Sequence, residues 1–194
     1  MTHSKEIFSA IAIALTFIGF LPYTVSILRG TVRPHVFSWI IWSVATMVVF
    51  FAQLDGKGGV GAWPTGLSGL VTILIAVLAH LKRGDTAITR WDWIFFVMAL
   101  SSLPFWYYTE DPLWAVIILT VVDTLGFGPT IRRTYHHPHS ESLMFYSLFT
   151  TRNLISIFAL ETYSVTTILF PAVVAATCLL FVVMAMIRRR SLAR

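Results

Sequence analysis

The chain has 194 residues, of which 57% are hydrophobic and 12% charged, and its mean hydropathy is +0.78. Ordinary soluble domains carry roughly 25% charged residues, so the composition excludes a soluble domain and indicates an integral membrane protein. Lys and Arg outnumber Asp and Glu by 14 to 9, and the positions of the basic residues, set out below, assign that excess to membrane topology rather than to nucleic acid.

A helix crosses a hydrocarbon core about 30 Å thick with about 20 mostly apolar residues, each rising roughly 1.5 Å. Seven stretches qualify: Ile7 to Leu28, Val36 to Leu54, Val60 to Leu81, Trp91 to Tyr108, Pro112 to Ile131, Leu143 to Leu160 and Tyr163 to Ile187. Helix 1 carries Pro22, which removes one backbone hydrogen bond, frees the Ile18 carbonyl and predicts a kink. After the short basic connection from Arg29 to His35, helix 2 presents Trp39 and Trp42 one turn apart, with Ser43 and Thr46 beyond them. Asp55-Gly56-Lys57-Gly58-Gly59 reads as a turn. Helix 3 starts near Trp63-Pro64, where a proline costs little, and ends at Lys82-Arg83. Helix 4 opens at Trp91-Asp92-Trp93. Helix 5 carries Asp123 and Pro129, a histidine-rich loop follows from Arg132 to Ser142, helix 6 carries Arg152 and Asn153, and helix 7 starts near Phe170-Pro171.

An internal repeat organises these elements. At an offset of 107 residues, Gly19-Phe20-Leu21-Pro22 lies over Gly126-Phe127-Gly128-Pro129, Trp39 over Tyr146, Phe51-Ala52 over Phe158-Ala159, Pro64 over Pro171, and Lys82-Arg83 over Arg189-Arg190. The expected fold is all-α and integral to the membrane: seven transmembrane helices in two parallel three-helix repeats joined by a linker helix, three plus one plus three. Residues 1–83 form the first repeat, 84–110 the linker with helix 4, and 111–194 the second, within one transmembrane domain, 1–194. The partner of helix 1 in the repeat is internal, so helix 1 reads as part of the fold and no cleavage is expected. The single cysteine, Cys178, falls in the last span and says nothing of compartment.

With seven spans, one side collects Arg29, Arg33, Lys82, Arg83, Arg90, Arg132, Arg133, Arg188, Arg189, Arg190 and Arg194, against Lys5 and Lys57 on the other. This positive-inside bias places the N-terminus outside and the C-terminus in the cytoplasm, with anionic lipid a secondary use of the basic face. A bacterial inner membrane fits the compact chain.

Asp123 and Arg152 are the charges deep inside predicted spans, and each costs roughly 2.5 to 3.5 kcal/mol at a helix centre. Counted from the intervening loop they fall at nearly the same depth, which predicts an Asp123–Arg152 ion pair. The pair reads either as a structural clamp or as a working site in which Asp123 exchanges a proton or Arg152 holds an anionic group. Asn153, Thr150 and Thr151, with Ser43 and Thr46 on the matching face, serve helix packing or ligand binding. Trp39, Trp42, Tyr146 and Phe149 form two matched aromatic pairs, suited to interface anchoring or to an aromatic gate. His136, His137 and His139 stand beside arginines with only Glu141 as a nearby acidic residue, and read as a solvated loop rather than a metal site. No lysine in the last span, no facing histidines within spans, no phosphate-binding glycine loop and no spaced carboxylate pair leave no cofactor and no enzyme class indicated.

The Leu21-Pro22 and Gly128-Pro129 motifs near the cytoplasmic ends of helices 1 and 5, the short polar connections after them, Trp39 and Tyr146, and the three-one-three count make the chain resemble the PQ-loop superfamily. That superfamily includes the SWEET sugar facilitators, cystinosin-type exporters and the KDEL receptor. The glutamine of the family's motif is replaced by Tyr23 and Thr130. The resemblance implies a carrier of a small polar metabolite such as a sugar, amino acid or vitamin, acting as monomer or homodimer. Its substrate site would lie between the bundles, with Pro22 and Pro129 as hinges. The alternative is a non-transporting receptor or an accessory or assembly subunit on the same scaffold.

Overall fold

The computed structural model describes residues 2–31, 34–82, 88, 90–139 and 141–192, without the side chains of Thr2, Asp92, Pro129, Arg132, Arg133 and Leu192. Of the topology residues above, Arg33, Arg83 and Arg194 lie outside the described residues, as does the 83/84 boundary. Among the described residues the fold is all-α: α1 Thr2–Leu28, α2 Val36–Asp55, a 3-10 turn Gly59–Ala62, α3 Trp63–Leu81, α4 Arg90–Thr109, α5 Pro112–Gly126, α6 Gly128–His136, α7 Leu143–Ala159 and α8 Val165–Leu192.

Local chemistry sets several of these boundaries. His35 caps α2, its Nδ1 accepting from Ser38 N at 3.3 Å. Asp111 caps α5, accepting from Leu113 N at 2.9 Å, and Pro112 takes the first helical position, where a missing N–H costs nothing. Ser142 caps α7 through Phe145 N. By length and composition four helical segments can cross a membrane, residues 3–28, 36–55, 59–81 and 165–191, and α5 is a shorter apolar helix. The outside of the bundle is apolar, with Leu180, Leu70 and Phe105 exposed, while Arg152, Asn153, Gln53 and Thr16 are buried. This inverts the distribution of a soluble protein and matches a lipid surround.

Two boundaries differ from expectation. The span expected as Pro112 to Ile131 breaks at Phe127, and residues 132–136, expected in a loop, are helical within α6. Pro129 has no N–H to reach the Leu125 carbonyl, and the glycines on either side of Phe127 weaken the helix further. The corresponding Pro22 interrupts nothing, and α1 runs through it to Leu28. The last helix begins at Val165 rather than near Phe170, because Ser164 and Thr167 cap it reciprocally: Ser164 N donates to Thr167 Oγ1 at 3.0 Å and Thr167 N to Ser164 Oγ at 3.3 Å.

Pro171 therefore sits inside α8, and Thr167 O loses the N–H four residues on. Gln53 Nε2 supplies the donor at 2.9 Å. The equivalent Pro64 withholds the same donor from Val60 O, which accepts instead from Trp63 N and, at 2.7 Å, from Ser9 Oγ. At both repeated prolines a side chain from another helix thus reaches the carbonyl four residues back.

Helix α3 packs against both α1 and α2, and α8 packs against both α5 and α7. Between these groups α1 meets α7 and α2 meets α5, while α4 lies against α5 and α2. At the end of the bundle where α2 turns into α3, the glycines are a docking surface. A Cβ at Gly61 would overlap the backbone of Ala159 and Leu160, and one at Gly59, with φ +58°, would overlap the Glu161 carboxylate. Gly61→Val is expected to lower stability by about 1–3 kcal/mol through overpacking, read as a lower melting temperature in detergent. Gly128→Ala, where an added Cβ meets nothing within 4 Å, should raise stability by about 0.4–1 kcal/mol.

Candidate functional site

The buried polar centre lies where α1, α3 and α7 meet. Arg152, only 3% exposed, donates from Nε to Thr16 Oγ1 at 3.1 Å, from Nη1 to Asn153 Oδ1 at 2.7 Å, and from Nη2 to Ser68 Oγ at 2.7 Å and to the Pro64 carbonyl. Asn153 is itself fixed by donating from Nδ2 to Phe149 O at 2.8 Å. A guanidinium has five N–H groups in a rigid fork, and this arrangement engages most of them with neutral oxygens. Among the described residues no carboxylate lies within ion-pair distance of Arg152; the ion pair present is His3–Glu6 at 3.3 Å.

The expected Asp123–Arg152 pair is therefore corrected. The estimate of depth assumed that α5 and α7 are neighbours, but each packs on α8. Asp123 is half-buried on α5, with no hydrogen-bond partner among the described residues. The repeat explains the separation. It maps Arg152 onto Ala45 and Thr16 onto Asp123, so the bonded pair at the α1–α7 seam corresponds, at the α2–α5 seam, to an aspartate and an alanine with no donor to offer.

The four aromatic residues singled out from the sequence come together in one ring cluster. Trp39 and Trp42 meet edge to face at 5.2 Å, Phe20 connects Trp39 (6.4 Å) to Phe149 (5.1 Å), and Phe145 connects Phe149 (4.5 Å) to Tyr146 (5.3 Å). Tyr23, Phe127 and Phe181 extend it. Two features repeat at the 107-residue offset. Phe20 meets Trp39 at 6.4 Å, and Phe127 meets Tyr146 at 5.8 Å, both edge on. A Cβ on Gly19 would lie 2.8 Å from the Phe149 ring, and one on Gly126 would lie 3.8 Å from Trp42 Nε1. Each repeated glycine thus seats the aromatic of the other half's second helix. Thr46 is half-buried on α2 and takes no part in the Arg152 cluster.

The glycine end is closed by polar contacts between the same halves. Lys5 Nζ donates to Leu160 O at 2.7 Å and Glu161 O at 3.2 Å, Val60 N donates to Glu161 Oε1 at 3.3 Å, and Glu161 N donates to Gly58 O at 3.0 Å. The polar centre thus has an aromatic seal toward one end and a hydrogen-bonded seal at the other. Sequence reasoning missed Ser68, the Pro64 carbonyl, Phe20, Phe145, Phe127 and Phe181. The repeated Gly-Phe dipeptide at 19–20 and 126–127 was the available signal for Phe20 and Phe127, whereas no spacing marks a backbone carbonyl as a ligand of Arg152.

Arg152→Met should destabilise the protein by about 3–5 kcal/mol, because it leaves several buried oxygens without donors. Asp123→Asn, which removes an unpartnered charge from an apolar helix, should leave stability equal to wild type or raise it. A double-mutant cycle between them, read by unfolding in detergent, should give a coupling energy below about 0.5 kcal/mol; an ion pair would give more. No protein-family model, curated protein or solved structure matches the chain.

Proposed function

We propose that the protein is a PQ-loop-type membrane transporter, a facilitator or proton-coupled carrier, for a small polar metabolite such as a sugar, amino acid or vitamin. It works by alternating access between two three-helix bundles, 1–83 and 111–194, with α4 as linker. The N-terminus is outside and the C-terminus cytoplasmic, in a bacterial inner membrane. The observation that carries this reading is the pair of repeat-related contacts between the halves, Gly19 with Phe149 and Gly126 with Trp42. Such contacts make the aromatic end a seam of two equivalent edges, and a rocking motion can open that end while the hydrogen-bonded end stays closed. Support for bending comes from the break at Phe127 beside Pro129. Trp39, Trp42, Tyr146 and Phe149 form the cytoplasmic gate, and Asp123 and Asn153 stand beside the path.

Arg152 is assigned to holding the seam rather than to gripping substrate, since Thr16, Ser68, Asn153 and the Pro64 carbonyl already engage it. Asp123 is the ionisable group left for proton coupling. The accessory-subunit alternative depends on a free basic face. Of that face, Arg189 is bound within the chain, donating to Pro138 O at 2.8 Å and Glu141 O at 2.9 Å.

Purified protein reconstituted into liposomes is expected to accelerate entry of at least one solute from a panel of sugars, amino acids and vitamins. Trp42→Ala and Phe149→Ala, at equivalent edges, should each lower that rate by about tenfold, roughly 1.4 kcal/mol, with the melting temperature showing that the variants stay folded. No solute moved faster than in protein-free vesicles, with wild type folded, would overturn the transporter reading in favour of the accessory one.

A further inference from the structure

Helix α8 carries an apolar stripe that α6 borders on one side. Leu180, Val183, Met184 and Ile187 follow each other at helical spacing, and with Tyr135 of α6 they line a groove that ends at Arg188 and Ser191. Leu180 is 69% exposed and Ile187 58%. Over the seven residues between them the groove runs about 10 Å along the helix axis. Its closed end is basic and held in place. The Arg188 guanidinium lies 4.3 Å from the centre of the Tyr135 ring, and its Nε donates to Tyr135 O at 3.0 Å. This fixes the planar group at the mouth and leaves its two terminal nitrogens without a protein acceptor among the described residues.

We propose that this groove binds one anionic phospholipid, with an acyl chain along Leu180, Val183, Met184 and Ile187 and the phosphate at Arg188. Three things on the molecule select that occupant. The groove lies on a helix apolar enough to cross the bilayer, so its surroundings are acyl chains. It ends where the helix passes from apolar to basic residues, which is the headgroup level. A guanidinium with free terminal N–H groups in a fixed plane matches a phosphate, and a basic pocket between helices at that level is a headgroup site. The proposal depends on the membrane location of α8 and not on transport, so it stands or falls separately from the function above.

The test is native mass spectrometry of the full chain released from nanodiscs holding equal amounts of phosphatidylglycerol and phosphatidylcholine. Wild type is expected to retain one phosphatidylglycerol in preference to phosphatidylcholine. Arg188→Gln should reduce that retention by about tenfold, as expected for a lost charge-assisted contact, whereas Arg29→Gln, at the basic end of α1 and outside the groove, should retain it. Since Arg188→Gln also loosens α6, Val183→Trp provides the second variant: it fills the groove, keeps the arginine and should displace the lipid. Inorganic phosphate added to the nanodiscs should not compete. The proposal is overturned by equal retention of the two lipids, by equal losses in Arg188→Gln and Arg29→Gln, by full retention in Val183→Trp, or by displacement with phosphate.

Discussion

The structure turns on a cation with no anion beside it among the described residues. Arg152 stands among the helices at the seam between the halves, and its charge is met by a hydroxyl from α1, a hydroxyl and a carbonyl from α3 and an amide from its own helix. Burying a charge is costly unless its hydrogen bonds are made, and here they are made to partners on three helices at once. The guanidinium therefore fixes the relative position of α1, α3 and α7 more narrowly than apolar packing would. Its depth, the placement of Asn153 beneath it and the nearness of Phe149 to Gly19 all follow from that anchoring.

The repeated prolines extend the same logic to the glycine end. A helix inside a membrane has no water to satisfy an open carbonyl, so each proline obliges the fold to bring a donor. Ser9 answers Pro64 and Gln53 answers Pro171. The first contact lies between α1 and the turn before α3, and the second joins α2 to α8. Together with Lys5 on Leu160 and Glu161 on Val60, they make that end a continuous belt of backbone-directed hydrogen bonds. The opposite seal is made of rings and contains far fewer directional bonds. The two ends of the seam thus differ in chemistry: one is released by exchanging hydrogen bonds, the other by sliding aromatic faces.

Much of this was legible in the sequence, for physical reasons that differ by feature. Helices fall on all seven apolar stretches, although the fifth is divided at Phe127 and four helical segments are long and apolar enough to cross a membrane. The offset that aligned Gly19-Phe20 with Gly126-Phe127 proved to be a rule about contacts, since both pairs seat equivalent rings. The Asp123–Arg152 pair was misread because depth along a helix can be counted from a loop, whereas the neighbours of a helix cannot. The third helix of each half packs on both of the others, and no count of residues reveals that. The break at Phe127 was half legible. Pro22 and Pro129 carry the same signal, yet α1 continues where α5 stops, and the additional glycine, Gly128 in place of Leu21, is the difference between them.

Chain order gives the arginine cluster a consequence for biogenesis. Ser68, Pro64 and Thr16 precede Arg152 by 84, 88 and 136 residues. When α7 leaves the ribosome, the first half has already been made, and the guanidinium enters a bilayer where its acceptors are waiting. The first half acts as a template for the insertion of the second. A permuted chain with the halves synthesised in reverse order would hold the same contacts once folded, but it would have to keep an unsatisfied guanidinium in or near the membrane until α1 and α3 arrived, exposed throughout that interval to quality-control proteases.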